Sequence, residues 1–227
     1  MLDSVYNHKR YDDISFDRAT PSVLVSSGEI PPSESSETTH LSVVDANGNA
    51  VAITTTLNSS FGNKVMVKGA GFFLNNEMDD FSSKPGSPNQ FGLIGGEANA
   101  IAPNKRMLSS MTPTIVTHKG KLKMVVGTPG GSTIITSVYQ TLLNVIDHGM
   151  GMQDAVNAKR VHHQWYPDEI RVETDALTEN VQTDLEQLGH QLRITDKIGL
   201  MDCILILPDG RLEGGADPRG DNTALGY

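Results

Sequence analysis

Apolar residues recur along the chain with two spacings. Where they alternate with polar residues they predict short strands, and where they recur every three to four residues they predict a few helices. Residues 39–45 and 50–57 are rich in β-branched side chains and flank Asn47-Gly48. Because Asn-Gly readily adopts the two positive φ angles of a tight turn, this pattern predicts a β-hairpin. A second hairpin is predicted over residues 112–126, with its turn at Lys119-Gly120.

Apolar stripes predict helices at three places. Residues 132–148 carry the longest stripe, which Ser132 is suited to cap. Shorter helices are predicted over residues 152–159 and 178–188, with Thr178 as the N-cap of the second. Extended segments complete a mixed α and β pattern near residues 169–173, 191–195, 202–206 and 210–214.

Two stretches predict irregular structure. Residues 26–37 are dense in Ser, Pro and Glu, which is typical of a flexible, solvated linker. The plain interpretation of the whole region 1–37 is therefore a disordered tail or an interdomain tether. Residues 81–96 contain two Pro and four Gly without periodicity, and they predict a long surface loop.

Composition narrows the class of protein. The chain has 227 residues, enough for one large or two small domains, and a net charge of -9. The acidic excess argues against a nucleic acid partner, and no apolar run approaches the roughly 18 residues of a membrane span. With Cys203 as the single cysteine, an intrachain disulfide and a Cys-based metal site are excluded. The N-terminus lacks a signal-peptide core, which predicts a protein that stays inside or the back part of a longer one.

The junction Glu37-Thr38-Thr39-His40 is the first candidate for chemistry. A threonine that follows a flexible linker could become a new N-terminal residue if the chain were cut before it. Its hydroxyl would then be a nucleophile, and its α-amino group, with a pKa of about 8, would be the base. The alternative is an ordinary strand that starts with β-branched residues.

A glycine-rich turn at residues 127–132 leads into the longest predicted helix. Glycine permits close backbone approach and a helix N-terminus presents N–H groups, so this turn is a candidate oxyanion hole. The Gly-Lys-Ser/Thr ending of a phosphate-binding loop is missing from it. An ordinary strand-to-helix turn is the alternative.

Two further polar segments are candidates for binding. Residues 75–80 are acidic and suit a cation or an ammonium group, although the ligand pattern of a calcium loop is absent. Ser109-Ser110 follow Lys105-Arg106 and suit a carboxylate. Ordinary solvated loops are the alternative in both places. For His162-His163 a structural role is favoured, and the glycosylation triplet at Asn58 is of a kind common by chance.

Taken together and in this order, these segments resemble the small subunit of γ-glutamyltranspeptidase, also called glutathione hydrolase, from about residue 34 onward. Residues 1–33 resemble the tail of the family's large subunit. The segments that carry the resemblance are TTHLSVVDANGNAVAITTTLN at 38–58, GFFLNNEMDDF at 71–81, NKRMLSSMTPTIV at 104–116, GTPGGSTIITSV at 127–138, VHHQWYPDE at 161–169 and GADPRGDNTALGY at 215–227.

The resemblance implies an α+β fold, the four-layer αββα sandwich of N-terminal-nucleophile (Ntn) hydrolases, of which this chain would form the small-subunit part. In the family a single precursor cleaves itself before a Thr that matches Thr38, so the scissile bond would be Glu37–Thr38. Residues 1–37 would then be the end of the large-subunit region with the linker. Residues 38–227 would be the small catalytic subunit.

The same resemblance implies four kinds of site residue, and Asp80 among them would pair with the substrate ammonium group. The implied residues are Thr38 as nucleophile with Thr56 beside it, Asn58, Glu77 and Asp80 for the amino acid end of the γ-glutamyl group, Ser109 and Ser110 for its α-carboxylate, and Gly130 and Gly131 for the oxyanion. Acyl transfer needs hydrogen-bond donors where negative charge develops, which agrees with the glycine assignment.

The implied activity is γ-glutamyl transfer and hydrolysis. Thr38 would attack the γ-glutamyl amide of glutathione or a related compound, and the resulting ester would pass to water or to an amino acid or peptide acceptor. No metal and no organic cofactor is implied, and the large subunit of the same precursor is the implied protein partner. The family's usual location in bacteria predicts a periplasmic or secreted protein.

Two departures from the family pattern leave alternatives open. Phe91 stands in the loop 81–96 where bacterial relatives carry a Tyr. The large subunit, with an Arg that clamps the α-carboxylate, is missing. One alternative is therefore a catalytically incomplete C-terminal fragment that only folds or pairs with a large subunit. Another is a relative that uses other γ-linked substrates such as poly-γ-glutamate, although Asp80 and Ser109-Ser110 favour a free amino acid end.

Overall fold

A computed structural model of the protein describes residues 8, 11, 14–25, 37–87, 89 and 94–226. Most of the predicted linker lies outside these residues, and so does Phe91 with part of the loop 81–96. Within the described residues, no helix has the length and apolar character that a bilayer crossing requires.

Nine strands form three sheets in the described residues. They are β1 (Glu37–Val44), β2 (Ala50–Asn58), β3 (Thr114–His118), β4 (Lys121–Val126), β5 (Val161–His162), β6 (Ile170–Glu173), β7 (Leu192–Thr195), β8 (Asp202–Ile206) and β9 (Leu212–Ala216). The sheets are the two-stranded ribbon β1-β2, the four-stranded sheet β3-β4-β8-β9 and the three-stranded sheet β5-β6-β7. Both predicted hairpins are confirmed, as β1–β2 and β3–β4.

The β1–β2 ribbon has two faces of different character. Thr38 lies opposite Thr56 and His40 lies opposite Thr54, so these four residues share one face. This inward face is buried or half-buried, and the ribbon contacts β4 and β8 of the four-stranded sheet. The intervening residues of both strands, such as Leu41, form the outward face.

Three helices are present where they were predicted: α1 (Thr133–Ile146), α2 (Met152–Asn157) and α3 (Glu179–Gln187). Thr178 caps α3 as predicted, because its Oγ1 accepts a hydrogen bond from the N–H of Val181 at 3.4 Å. The prediction that Ser132 caps α1 is wrong. Ser132 already has helical angles, φ -57° and ψ -24°, and it makes no side-chain capping bond in the described structure. The helical turn already begins in the glycine turn before Ser132. The side-chain bond at this end of the helix is made by Thr133, whose Oγ1 donates to the Gly130 carbonyl at 2.8 Å.

The main hydrophobic core lies between the four-stranded sheet and helices α1 and α2. Met124 and Val126 of β4 are fully buried in it, together with Val138 of α1 and Met152 of α2. Val125 is also fully buried, and strand alternation turns it to the opposite side of the sheet. The strand β4 is therefore covered on both faces, by the helices and by the ribbon.

Four charged side chains buried together fix the C-terminal segment. Arg219 donates two hydrogen bonds of 2.6 Å to Glu173 and one of 3.0 Å to Asp217, to which Arg160 also donates at 2.9 Å. Burial opposes ionisation of Glu173 and Asp217, yet the contacts with Arg219 and Arg160 keep the pKa of each carboxyl below its usual value. Removing one partner of such a buried cluster is costly, so it ties residues 215–226 to the body.

Part of the region 1–37 is also folded onto the body. Ser22 is buried, and both its N–H and its hydroxyl donate to the carboxylate of Asp168. The interpretation of the whole region as a disordered tail or a tether is therefore wrong for residues 14–25. The reason is a set of specific polar contacts that composition does not reveal.

Candidate active site

Thr38 lies on the inward face at an irregularity in the strand pairing. Thr38 pairs with Thr56 whereas Glu37 pairs with Asn58, so Leu57 is an extra residue between two paired positions. Such a β-bulge bends the strand locally and re-aims neighbouring side chains. The bulge lies opposite the Glu37–Thr38 peptide bond, which the resemblance marks as the scissile bond.

Asn58 ends β2 with a backbone angle that few residues other than glycine adopt. Its φ is 75°, which asparagine tolerates better than most residues. Its N–H donates to Thr56 Oγ1 at 2.9 Å, and its Nδ2 donates to the Asn76 carbonyl at 3.2 Å. Because Asn58 is fully buried, the folded chain cannot present it to a glycosylating enzyme.

Asn76 joins the end of β2 to the acidic segment. Its N–H donates to the Leu57 carbonyl at 3.1 Å. Its side-chain Oδ1 accepts from the N–H of Ser59 at 3.0 Å, and its Nδ2 donates to Ser59 Oγ at 3.1 Å. A single 3₁₀ turn, Glu77–Asp80, begins directly after Asn76. These bonds hold the acidic turn beside the buried Asn58.

Glu77 and Asp80 lie on this turn, where both carboxyl groups are partly shielded from water. Asp80 is 8% exposed, and burial, with smaller effects from the carboxylates of Glu77 and Asp79, raises its pKa to about 6. Burial also raises the pKa of Glu77. A cation placed beside such a carboxyl favours its ionised form. The turn therefore suits an ammonium group.

Asn99 joins the acidic turn to the serine pair. Its Nδ2 donates to the Asp80 carbonyl at 2.6 Å, and its Oδ1 accepts from the N–H of Leu108 at 2.9 Å. Just beyond Leu108, Ser110 is buried and Ser109 is exposed. The serine pair is thus fixed relative to the acid turn through one buried amide.

Lys105 has a structural contact within this loop. Its ammonium group donates to the carbonyls of Ala98 and Ala100, at 2.7 Å and 2.9 Å. A lysine used in this way braces the loop that contains Asn99. It is poorly suited to replace a carboxylate-clamping arginine, since its donors are already turned to the backbone.

The glycine loop, residues 127–131, connects β4 to α1. Gly130 and Gly131 have φ angles of 140° and 59°, which L side chains rarely adopt. A Cβ at Gly130 would also lie 2.7 Å from Thr133 Oγ1. The conformation of the loop therefore depends on glycine at both positions.

Thr128 fixes the glycine loop against the segment before β8. Its fully buried Oγ1 accepts from the N–H of Leu200 at 2.7 Å and donates to the Pro129 carbonyl at 2.6 Å. Gly199 packs beside it, because a Cβ there would lie 3.2 Å from Thr128 Oγ1 and 2.7 Å from Ser137 Oγ. This side of the loop leaves little room for movement.

His40 connects the inward face to the glycine loop. Its ring lies so close to Gly127 that any Cβ at position 127 would overlap it. Ser42 Oγ donates to the Asp202 carbonyl at 2.8 Å, so it accepts from His40 Nε2 at 3.0 Å. The other ring nitrogen, Nδ1, then accepts from Thr54 Oγ1 at 2.7 Å. Burial lowers the pKa of His40 to about 4, so the ring is neutral at pH 7.

The connecting residues were missed by sequence reasoning, although they join the predicted site residues into one region. Asn76 and Asn99 link the end of β2, the acidic turn and the serine pair, and His40 links the ribbon to the glycine loop through Gly127. One signal was available for His40, because residues two apart share a strand face and His40 follows Thr38 at that spacing. The hydrogen bonds of the Asn76 and Asn99 side chains leave no pattern in the local sequence.

The adjacent histidines have structural surroundings. His162 is buried between Thr136 Oγ1, at 2.8 Å from Nδ1, and Gln164 Oε1, at 2.9 Å from Nε2. Burial lowers its pKa. His163 lies 3.4 Å from the carboxylate of Asp168. These contacts agree with the structural role that was favoured for the pair.

Known structures share this fold. A crystal structure of a mutant Helicobacter pylori gamma-glutamyltranspeptidase superposes with a TM-score of 0.77 at 51% identity, over 80% of this chain and 100% of that one. The expected architecture, the small-subunit part of an Ntn-hydrolase sandwich, is confirmed by this likeness. The class of protein is therefore an Ntn hydrolase.

Sequence comparisons give the family. The model of the gamma-glutamyltranspeptidase family matches residues 1–227, and the chain belongs to this family. The glutathione hydrolase proenzyme of Escherichia coli is 47% identical, over 100% of this chain and 39% of its own length. That of Pseudomonas aeruginosa is 47% identical, over 99% of this chain and 40% of its own. The chain thus spans about two fifths of the length of these relatives.

Proposed function

We propose that this chain is the small-subunit part of a precursor that cleaves itself between Glu37 and Thr38 and then transfers or hydrolyses γ-glutamyl groups. The pairing of Thr38 with Thr56 beside the Leu57 bulge, on the inward face of the ribbon, carries the proposal. The bulge interrupts the regular ladder at the bond that would be cut. The proenzyme names of the relatives support a precursor.

Self-cleavage would use the side chain of Thr38 on the preceding residue. The Thr38 hydroxyl oxygen attacks the carbonyl carbon of Glu37, the peptide C–N bond breaks, and the freed nitrogen takes up the hydroxyl proton. Water then hydrolyses the ester, which leaves a carboxylate on Glu37 and a free α-amino group on Thr38. That amine, with a pKa of about 8, can serve as the base in the next reaction.

Transfer would use the same hydroxyl on a γ-glutamyl amide such as glutathione. Thr38 attacks the γ-carbonyl carbon, the amide C–N bond breaks, and the protonated amine leaves, which is cysteinylglycine in the case of glutathione. The γ-glutamyl ester then passes to water or to the amino group of an amino acid or peptide, and the hydroxyl is restored. Backbone N–H groups of Gly130 and Gly131 would stabilise the oxyanion, each by about 3–4 kcal/mol as in comparable sites.

The amino acid end of the substrate would lie between the acidic turn and the serine pair. Asp80, with Glu77 nearby, would receive the ammonium group, and Asn58 would hydrogen-bond beside it. Ser109 and Ser110 would donate to the α-carboxylate. The bonds of Asn76 and Asn99 support this arrangement, because they hold the acidic turn and the serines in register with the end of β2.

Activity would require the part of the precursor that this chain lacks. The outward face of the ribbon exposes Leu41, Val43, Val51 and Ile53, and large exposed apolar patches mark interfaces. We infer that the large-subunit region covers this face. The alternative, a catalytically incomplete fragment that only folds or pairs, describes the same chain without that partner.

The proposal is tested in a precursor that joins this chain to the upstream region of the Escherichia coli relative. Thr38→Ala should abolish both self-cleavage, seen as two bands and a new N-terminus at TTHLSVV, and turnover of γ-glutamyl-p-nitroanilide. Thr39→Ala, on the outward face of the same strand, is the matched control and should retain both. A Thr38→Ala precursor that still divides into two subunits would refute the assignment.

A further inference from the structure

The segment of residues 14–25 precedes the proposed cleavage point and yet lies on the body of the chain. In this segment a polar residue is buried and its apolar neighbours are exposed: Ser22 is 2% exposed, whereas Val23 and Leu24 are 75% and 73% exposed. Burial of apolar side chains therefore does not hold this part of the segment. Polar contacts of specific geometry do.

Ser22 uses all three of its polar groups in these contacts. Its N–H donates to Asp168 Oδ2 at 2.8 Å, and its hydroxyl donates to Asp168 Oδ1 at 2.7 Å. Its carbonyl accepts from Trp165 Nε1 at 2.6 Å. The two bonds from Ser22 lower the pKa of the Asp168 carboxyl, so the carboxylate is ionised near neutral pH. Hydrogen bonds to a charged group are stronger than those between neutral groups.

A second contact lies three residues earlier. The N–H of Ala19 donates to the Leu188 carbonyl, the residue that ends α3, at 2.6 Å. The Ala19 methyl group also lies 3.9 Å from the position that a Cβ on Gly189 would take. Pro21, between the two contacts, has a φ angle restricted by its ring, which reduces the backbone freedom between Ala19 and Ser22.

We propose that Ala19 and Ser22 form an anchor that keeps the upstream fragment bound to the rest of the chain after the Glu37–Thr38 bond is cut. The inference rests on the proposed function for the position of that cut. Each partner of the anchor, Trp165, Asp168 and Leu188, lies downstream of it. Every hydrogen bond of the anchor therefore becomes a contact between two separate chains once the bond is broken.

The anchor lies at a distance in sequence from the proposed cleavage point. The linker between Ser22 and Thr38 can be severed without disturbing the contacts of Ser22. A cut after Glu37 breaks none of the anchor's hydrogen bonds, so the fragment that ends at Glu37 stays attached through Ala19 and Ser22.

The anchor is tested in the 227-residue chain without relying on self-cleavage. Thr38→Ala removes the proposed nucleophile, and a protease recognition sequence replaces part of residues 26–36. After cutting with the added protease, native mass spectrometry and gel filtration measure how fast the upstream fragment is released. Because an added protease makes the cut, absence of self-cleavage in the joined precursor would overturn the proposed function and leave this result standing.

Asp168→Ala should speed release by about ten- to a hundredfold, since a hydrogen bond to a charged group contributes at that level. Trp165→Phe keeps an aromatic ring but loses the N–H, and it should speed release by a smaller factor. Asp147→Asn, an exposed carboxylate just after α1, is the control and should not change it. The melting temperature of each uncut variant shows whether the body has folded.

Two results would overturn the anchor. One is immediate and complete release of the fragment from the cut parent chain while the body remains folded. The other is an unchanged release rate in both Asp168→Ala and Trp165→Phe. If Asp168→Ala fails to fold, Trp165→Phe alone decides, because it removes one donor and preserves the packing volume of an aromatic side chain.

Discussion

The two faces of the β1–β2 ribbon are arranged in the opposite way to those of a simple soluble sheet. The inward face, packed on the body, carries five polar side chains, those of Thr38, His40, Ser42, Thr54 and Thr56, whereas its apolar residues, Val44, Ala50 and Ala52, lie toward the turn. The outward face carries Leu41, Val43, Val51 and Ile53, which are 56%, 43%, 52% and 48% exposed. An antiparallel sheet with one solvated side normally turns its apolar side to the core.

From this difference we infer that the outward face of the ribbon is covered by a partner. The inward polar groups are stable there because they are paired, as in the chain from Thr54 through His40 and Ser42 to the Asp202 carbonyl. The outward aliphatic groups have no such compensation. Full burial of one such side chain contributes about 1.5–3 kcal/mol, and these four are already about half buried, so a covering layer would add about 3–6 kcal/mol in all. The proposed chemistry faces inward, and the proposed partner covers the other side.

The largest effect is expected where the inward face continues into the acidic turn. In the joined precursor, Asp80→Ala should lower kcat/KM for γ-glutamyl-p-nitroanilide by on the order of 30- to several-thousand-fold. Loss of one partner of a desolvated charge pair costs about 2–5 kcal/mol. Self-cleavage should be nearly unchanged, because the nitrogen of Glu37 is in an amide. Asp79→Ala is the neighbouring control, and an unchanged kcat/KM in Asp80→Ala would move the ammonium site elsewhere.

The next largest effect is expected from disrupting the contact between His40 on the inward face and Gly127. Gly127→Ala should lower the free energy of unfolding by about 3 kcal/mol, because the new methyl group would overlap the buried ring. Urea unfolding measures this in the 227-residue chain. The double variant with His40→Ala should recover part of the loss, as a double-mutant cycle requires for residues in contact. Purely additive losses would mean that the two positions do not meet.

The neutral state of His40 predicts a pH dependence of stability. Its pKa in the folded chain is about 4, below the ordinary value of 6.5, because of burial. Between these values the unfolded chain binds a proton that the folded chain does not, so the free energy of unfolding falls as pH drops from 6.5 to 4. This contribution amounts to at most about 3 kcal/mol.

His40→Gln should therefore be less stable than the parent at pH 7, and the gap should narrow steadily toward pH 4. Urea unfolding at several pH values measures it. His118→Gln, at an exposed position that ends β3, controls for the general effect of replacing a histidine by glutamine. Asp80 affects the pH dependence of stability in the opposite sense, because its pKa is raised and the folded chain therefore binds the proton before the unfolded chain does. The His40→Gln series is therefore repeated in an Asp80→Asn background, which removes this contribution.

The smallest effect on folding is expected on the outward face. Leu41→Thr with Ile53→Thr should change the free energy of unfolding of the isolated chain by less than about 1 kcal/mol, because both side chains are already exposed. The same pair should reduce self-association and weaken pairing with the upstream region, measured by sedimentation. Leu212→Thr, at an equally exposed aliphatic position on β9, controls for general polarity. Equal effects of both substitutions would remove the outward face as a specific interface.

The sequence pattern predicts the β1–β2 ribbon, but it does not predict which face of the ribbon packs on the body. Asn47-Gly48 marks the position of the hairpin correctly, but the expectation of two positive φ angles is wrong: of the two residues only Gly48 has one, at 80°, because five residues, 45–49, form the loop between Val44 and Ala50. The alternation of Leu41 and Val43 with polar neighbours shows only that there are two faces. Which face is inside depends on what covers it, and the local pattern of β1 and β2 carries no information about that cover.

The candidate site divides in the same way. Thr38, Asp80 and the glycine pair lie in motifs, so the family resemblance could point to them. The contacts that join those motifs, such as Asn99 to Asp80, form between residues brought together by folding and leave no spacing to recognise. The predicted Ser132 cap is wrong for a related reason, because the carbonyls of Gly130 and Gly131 already accept hydrogen bonds from the N–H groups of Thr133 and Ile134, which places Ser132 inside the first helical turn.

The central claim is that the inward face holds a γ-glutamyl site that becomes active only when the outward face is covered. The most direct test assays the purified 227-residue chain with γ-glutamyl-p-nitroanilide, alone and after co-expression with the upstream region of the Escherichia coli relative. The account predicts no measurable turnover by the chain alone and turnover in the co-expressed complex, lost in Thr38→Ala. Robust turnover by the chain alone would contradict it and would require a complete carboxylate-binding site within these residues.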